Sequence, residues 1–187
     1  MDEGGLPVTG VVLAGGAGRR MGGQDKGFVA WSGEPLIHIA VRRLAGLPQV
    51  IISANRSLAR YRALGYEVVS DDDGDDFAGP LAGLRAAFRH AAHPWVLSVP
   101  VDTPCLPSDL VTRLWASRIT RGLVVARSPY GPEPLVCLAD ACLGARLEEY
   151  WRAGGRRAQE WFVGADMAWF DLTAAEAANC NEPADLR

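Results

Sequence analysis

No run of apolar residues in the chain approaches the roughly 20 that a membrane-spanning helix needs. Cysteine is scarce, with four residues at Cys105, Cys137, Cys142 and Cys180. No two of them form a C-x-x-C pair, which removes the usual zinc and dithiol signatures. Their scatter fits free thiols in or near a core in a reducing compartment. Histidine is scarcer still: His38, His90 and His93 each fall in or beside a predicted helix, so no His–carboxylate dyad is expected. Positive charge is not in excess, because 19 Lys and Arg face 22 Asp and Glu for a net charge of -3. No overall field would gather nucleic acid. The opening Met1-Asp2-Glu3-Gly4-Gly5 lacks the basic start and apolar centre of a secretory signal. A cytoplasmic protein with neither a membrane nor a nucleic-acid partner is expected.

What is present is an ordinary globular composition. Of 187 residues, 49% are hydrophobic and 22% charged, enough for one domain over 1–187 with a sizeable core. Apolar runs at Val8–Leu13, Val50–Ser53, Glu67–Ser70, Trp95–Val99, Leu123–Ala126, Leu135–Leu138 and Ala168–Leu172 read as strands. Helical patterns fall between them, at Leu36–Leu44, Leu58–Leu64, Leu81–Ala91, Asp109–Ile119, Cys142–Trp151 and Arg157–Phe162. The alternation predicts an α/β fold in three layers, with a mostly parallel twisted sheet, one later strand antiparallel, and helices on both faces.

The most informative segment runs from Gly10-Val11-Val12-Leu13-Ala14-Gly15-Gly16 through Arg19-Arg20-Met21-Gly22 to Asp25-Lys26. It couples a buried-type strand to a glycine-rich loop carrying two arginines and a lysine. Glycine lets the main chain approach a ligand, and successive N–H groups there form an anion-binding concavity. Guanidinium and ammonium groups neutralise what the amides cradle. The implied ligand is a polyphosphate, with Arg20 and Lys26 on its charged tail and Leu13, Ala14, Gly15 and Gly16 offering main-chain groups. Two better-known phosphate loops are excluded. Lys26 is preceded by Asp25 and followed by Gly27, unlike a Walker A loop. Gly16-Ala17-Gly18-Arg19-Arg20-Met21 lacks the final glycine of a dinucleotide fingerprint.

Ligands of open α/β sheets bind beyond the carboxyl ends of strands. The tips after the first four strands therefore converge: Gly15 to Lys26, Ser53 to Arg56, Asp71 to Asp76, and Asp102 to Pro104. Asp102 is the strongest single candidate. Pro104 and Pro107 delay the next helix, so Ser108 or Asp109 is better placed to cap it, and Asp102 is left for a metal. One carboxylate suffices for Mg2+, whose shell is completed by phosphate oxygens and water. Gly79-Pro80 reads equally as a helix start or as a ligand contact, and Gly83 as a place where a nucleotide comes close. Trp151 and Trp161 read as core.

Together with Ser53-Ala54-Asn55-Arg56, Gly79-Pro80-Leu81-Ala82-Gly83, Val101-Asp102-Thr103-Pro104, Glu133-Pro134-Leu135 and Asn179-Cys180-Asn181-Glu182-Pro183, the first loop resembles the nucleotidyltransferases of the molybdenum cofactor guanylyltransferase family. The resemblance implies their Rossmann-like fold and transfer of GMP from GTP to molybdopterin or its molybdenum-loaded form. It further implies release of pyrophosphate and a requirement for Mg2+. It assigns the metal to Asp102 and the nucleotide to positions including Asn55 and Asp71. Ser53 stands where the family often has a second asparagine, so either Ser53 or Asn55 is the contact. An Asp71 carboxylate matches guanine's N1–H and exocyclic amine. Asn179, Asn181 and Arg156 are implied acceptor contacts, with turn duty for the asparagines and a solvated face for Arg156-Arg157 as the plainer readings. The part up to about residue 105 would hold the nucleotide and the rest the acceptor. Molybdoenzyme maturation proteins are implied partners, and a monomer is the default. Two other readings stand beside it: a cytidylyl or sugar- or alcohol-phosphate transferase, and a non-catalytic nucleotide-binding regulator.

Overall fold

Alternate residues of the first strand serve two different cores. In β1 (Val8–Leu13) every residue is buried. Val8 and Val12 join one apolar cluster, and Val11 and Leu13 join the other. A strand covered on both faces is the mark of a parallel sheet between helical layers. The computed structural model describes residues 5–16, 24–71 and 79–180.

After β1 come the short strands β2 (Ala30–Trp31) and β3 (Glu34–Pro35), then α1 (Leu36–Arg43), β4 (Gln49–Ser53), α2 (Leu58–Arg62) and β5 (Glu67–Val69). The remainder runs α3 (Pro80–His90), β6 (Trp95–Pro100), α4 (Leu110–Ala116), β7 (Leu123–Ser128), β8 (Gly131–Asp140), α5 (Leu143–Arg152) and β9 (Met167–Asp171). Seven strands form one sheet in the order β5-β4-β1-β6-β8-β7-β9. β8 runs against both its neighbours, and the other pairings are parallel. Residues of α1, α2 and α4 bury against one face, and those of α3 and α5 against the other. This is the expected three-layer α/β architecture.

The chain steps outward from β1 to β4 and β5, then returns across β1 to β6. The direction reverses between β1 and β6, and a crevice opens beyond their carboxyl ends. Main-chain bonds extend the ladder into it: Ala14 N donates to Ser53 O at 2.8 Å, and Val101 N to Leu13 O at 3.0 Å.

Three local expectations are corrected, and one element is unanticipated. Arg157–Phe162 forms turns rather than a helix. It is bracketed by Gly154-Gly155 and Gly164, is too short to nucleate alone, and buries the successive residues Trp161 and Phe162. The helix expected to reach Ile119 ends at Ala116, where the Ser117 hydroxyl donates to Arg113 O at 3.0 Å. Asp109 stands at the N-cap of α4 without a side-chain capping bond, and its carboxylate lies 3.7 Å from Arg113 instead. The β2–β3 hairpin is absent from the sequence reading. Its strands are two residues each, and only the turn at Ser32-Gly33, both at positive φ, announces it.

α3 and α5 are clasped by one carboxylate. Glu148 accepts from Arg85 Nε and from an Arg89 guanidinium nitrogen, each at 2.8 Å, and lies 3.2 Å from Arg152 Nε. The Arg85 bond, reinforced by Arg89, brings the Glu148 carboxyl down to about 2. A depressed folded-state value stabilises the protein above the ordinary carboxylate range and is lost as pH falls through the lowered value. Glu148→Gln is therefore expected to lower the unfolding midpoint at neutral pH. The gap from the parent protein should close between about pH 4.5 and 2, the window bounded by the two carboxyl values. A pH series of thermal melts measures it.

Candidate active site

The crevice beyond β1, β4 and β6 holds a cavity of about 270 Å³. Leu13, Ala14, Gly15 and Gly16 line it from β1, Ser53 from β4, Asp71 from beyond β5, and Pro100, Val101 and Asp102 from β6. Gly79, Pro80 and Gly83 contribute the start of α3, and Lys26 and Leu135 complete the wall. Sequence reasoning thus names most of the cavity. The residues it missed as contacts, Pro100, Val101 and Leu135, are apolar or conformational, and nothing in their type marks them.

Lys26 and Asp102, 76 residues apart, meet here: Lys26 Nζ donates to Asp102 Oδ2 at 2.8 Å. Their side chains are 17% and 28% exposed, so each charge has a partner yet faces the opening. Asp102 does not cap α4. Its main-chain oxygen accepts from Cys180 N at 2.8 Å, which docks the C-terminal segment against the same corner.

The Lys26 turn is anchored from below. Asp25 Oδ1 accepts the Tyr61 hydroxyl at 2.7 Å and Gly27 N at 3.2 Å, and Arg56 donates to Gln24 O at 2.6 Å. Burial, reinforced by the Asp25 bond, pushes the Tyr61 phenol far above its ordinary value, so it stays a neutral donor.

Gly79 serves both readings left open for it. Its φ of +97° turns the chain into α3, with Pro80 at the first helical position, and both line the cavity. Gly83 has a second reason to be glycine: a Cβ there would lie 2.3 Å from Ser53 Oγ. Ser53 is 1% exposed, and its hydroxyl has no hydrogen-bond partner among the described residues. A buried hydroxyl left unpaired costs about 1–3 kcal/mol, which a polar ligand edge would relieve. Asn55 is not on the cavity wall. It stands behind, with Nδ2 donating to Asp71 Oδ2 at 2.6 Å and Oδ1 accepting from Asp71 N at 2.9 Å.

A second hollow, of about 390 Å³, adjoins the first and shares Pro100, Asp102 and Leu135 with it. Thr103, Glu133, Arg157, Gln159 and Asn179 add its polar lining. The wall is made by a bulge: Val125 pairs with Cys137 but Ala126 with Glu133, so Pro134, Leu135 and Val136 are looped out of the ladder. Glu133-Pro134-Leu135 therefore faces mainly this hollow. Asn179 is brought to it. Arg156 is not: it lies 3.8 Å over the Trp151 ring and donates to Trp151 O at 2.9 Å. Its neighbour Arg157 lines the hollow instead, a difference of one residue that a paired-arginine motif does not resolve. Arg20 and Asn181 lie outside the described residues. Trp151 and Trp161 are core residues.

The donor set suits a hard divalent cation. Asp102 presents a carboxylate at the wall common to both hollows, and among the described residues no three His, Cys, Asp or Glu gather as a metal cluster. Mg2+ fits such a place, since phosphate and water oxygens supply most of its shell.

The pattern of the MobA-like NTP transferase domain matches residues 10–166. The chain is 41% identical to a molybdenum cofactor guanylyltransferase of Methylibium petroleiphilum, over 96% of this chain and 94% of that one. Among solved structures it is similar to molybdopterin-guanine dinucleotide biosynthesis protein A of Archaeoglobus fulgidus. There the TM-score is 0.75 and the identity 21%, over 96% and 94% of the two chains. It is also similar to 2-C-methyl-D-erythritol 4-phosphate cytidylyltransferase of Thermus thermophilus, at TM-score 0.74 and 18% identity over 97% and 96%. Both likenesses are of fold.

The contact between α3 and β4 has a direct consequence. Gly83→Ala is expected to cost about 1–3 kcal/mol of stability through overpacking against Ser53. In a Ser53→Gly background, where the clashing atoms are gone, the same substitution should cost clearly less. Denaturant melts of the four proteins in that cycle measure the difference.

Proposed function

The chain belongs to the MobA-like NTP transferase family, and on that premise we propose that it transfers GMP from GTP to molybdopterin, releasing pyrophosphate. The observation that carries the reading is the pair of hollows sharing the Asp102 wall, with Lys26 across from it. A donor nucleotide in the first and an acceptor phosphate in the second would bring the reacting atoms together beside one carboxylate and one ammonium.

Among the described residues, those up to about 105 supply all of the first hollow except Leu135, which supports a nucleotide-binding N-terminal part. The main chain of Leu13 to Gly16 faces the nucleotide. Ser53 offers its unpaired hydroxyl, and Asp71 its carboxylate to the N1–H and amine edge of guanine. Lys26 exchanges Asp102 for the triphosphate oxygens, so neither state leaves the ammonium unpaired. Asp102 would hold Mg2+, which when bound neutralises charge on the triphosphate.

An acceptor phosphate oxygen then forms a bond to the α-phosphorus. The bond from that phosphorus to the bridging oxygen breaks, and pyrophosphate departs with the electron pair. The nucleophile is ionised, so no side chain need take a proton, in keeping with a site free of histidine. Lys26 stabilises negative charge where it builds on the leaving group, and Arg20 is proposed to share that task. Arg157, Asn179 and Asn181 are proposed to orient the acceptor, with Arg156 behind them on Trp151. The protein is proposed to act as a cytoplasmic monomer that passes its product to molybdoenzyme maturation proteins.

Incubation with molybdopterin and each Mg2+–nucleoside triphosphate, following pyrophosphate, tests the assignment. Release with GTP is expected. Release with CTP alone would transfer the reading to the cytidylyl branch, and none with any nucleotide would favour a binding module. Lys26→Ala removes a charge-assisted contact, and kcat/KM for GTP should fall roughly 10- to 100-fold. Asp102→Ala should lower turnover by about three orders of magnitude while the melting curve stays cooperative; retained activity would remove Asp102 from the chemistry.

A further inference from the structure

We infer that Asn55 is a positioning residue for base selection, acting through Asp71 rather than touching the nucleotide itself. The inference deepens the proposed function and rests on its assignment of Asp71 to the guanine edge.

Asn55 and Asp71 exchange two hydrogen bonds. The amide nitrogen donates to Asp71 Oδ2 at 2.6 Å, and the amide oxygen accepts from Asp71 N at 2.9 Å. One side chain therefore fixes both the carboxylate and the main chain of the residue that bears it. A charge-assisted bond of this kind is stronger and more directional than a neutral one. Ala54 N, next in the chain, donates to Val69 O at 2.9 Å, so the clasp closes the far end of the β4–β5 ladder. The amide also backs the phosphate loop: a Cβ on Gly15 would stand 3.4 Å from Asn55 Nδ2. Asn55 thus joins the loops after β1, β4 and β5 while staying off the wall that Gly15 and Asp71 line. Ser53, two residues earlier, is on that wall with an unpaired hydroxyl. The two positions that look interchangeable in Ser53-Ala54-Asn55 divide the work: Ser53 faces the ligand, and Asn55 aims the carboxylate.

An amide is well suited to this task. It donates to the carboxylate and accepts from the backbone at once. Aspartate would keep the size and place a second negative charge against Asp71 Oδ2. Alanine would remove both of these bonds to Asp71.

The test compares GTP with ITP, which lacks the exocyclic amine, in the parent protein, Asn55→Ala, Asn55→Asp, Asp71→Ala and the Asn55→Ala/Asp71→Ala double variant. Thermal melts accompany each. Loss of aim should cut the GTP-over-ITP preference in kcat/KM by roughly tenfold in Asn55→Ala, the order expected for one hydrogen bond to a charged group. The change should fall on KM for GTP more than on kcat. Asn55→Asp should lose at least as much. In the Asp71→Ala background the Asn55 substitution should change the preference no further. A purely structural Asn55 would lower the melting point and leave the preference alone, which overturns the inference. Equal and additive losses from the two positions would overturn it too, since Asn55 would then touch the base directly. If Asp71→Ala itself leaves the preference intact, the guanine assignment of Asp71 fails, a result separable from either of the others.

Discussion

β1 is held between two parallel neighbours, and that constraint determines where everything else can act. Its register with β4 and β6 sets Leu13 beside Ser53 and Pro100. The three strands end together, and the ladder runs one residue further through Ala14 N to Ser53 O and Val101 N to Leu13 O. A buried parallel strand cannot shift by one residue without exchanging its two cores. The position of the loop after Leu13 is therefore fixed by the packing of Val8 and Val12 on one side and Val11 and Leu13 on the other. Reversal of the chain's direction beside β1 does the rest, by keeping helices from closing over that end.

Charge is handled at this opening without waste. Lys26 and Asp102 neutralise each other while facing an entrance. Phosphate and a divalent cation would take the two groups in the opposite senses, so that loading exchanges partners rather than creating bare charges. Behind them stands a second tier of residues, outside the described linings of both hollows. Tyr61 and Asp25 hold the Lys26 turn, Asn55 holds Asp71, and the Cys180 amide is tied to the Asp102 carbonyl. These supports come from α2, from the β4 loop and from the C-terminal segment, so the order of the cavity wall depends on the outer elements as well as on the sheet.

The strands and most of the helices could be read from periodicity because they bury apolar residues at regular spacing. The convergence of Gly15, Ser53, Asp71 and Asp102 followed from the parallel-sheet rule alone. What escaped the reading depends on partners distant in sequence. Nothing local reveals that Asn55 turns to Asp71, that Tyr61 meets Asp25, or that Arg156 stacks on Trp151 while Arg157 points to the second hollow. The looped-out Pro134 to Val136 is equally invisible, because a bulge is a relation between two strands. Arg157 to Phe162 carries no such regular spacing: it buries two successive aromatics, and flanking glycines leave it as turns.

A crystal structure with Mg2+ and a non-hydrolysable GTP analogue is the most direct test of how this crevice works. The expected density places the triphosphate against Lys26 and the Gly15-Gly16 main chain, the cation on Asp102, and the guanine edge toward Asp71. A nucleotide bound away from Lys26 and Asp102, with their mutual contact intact, would contradict it.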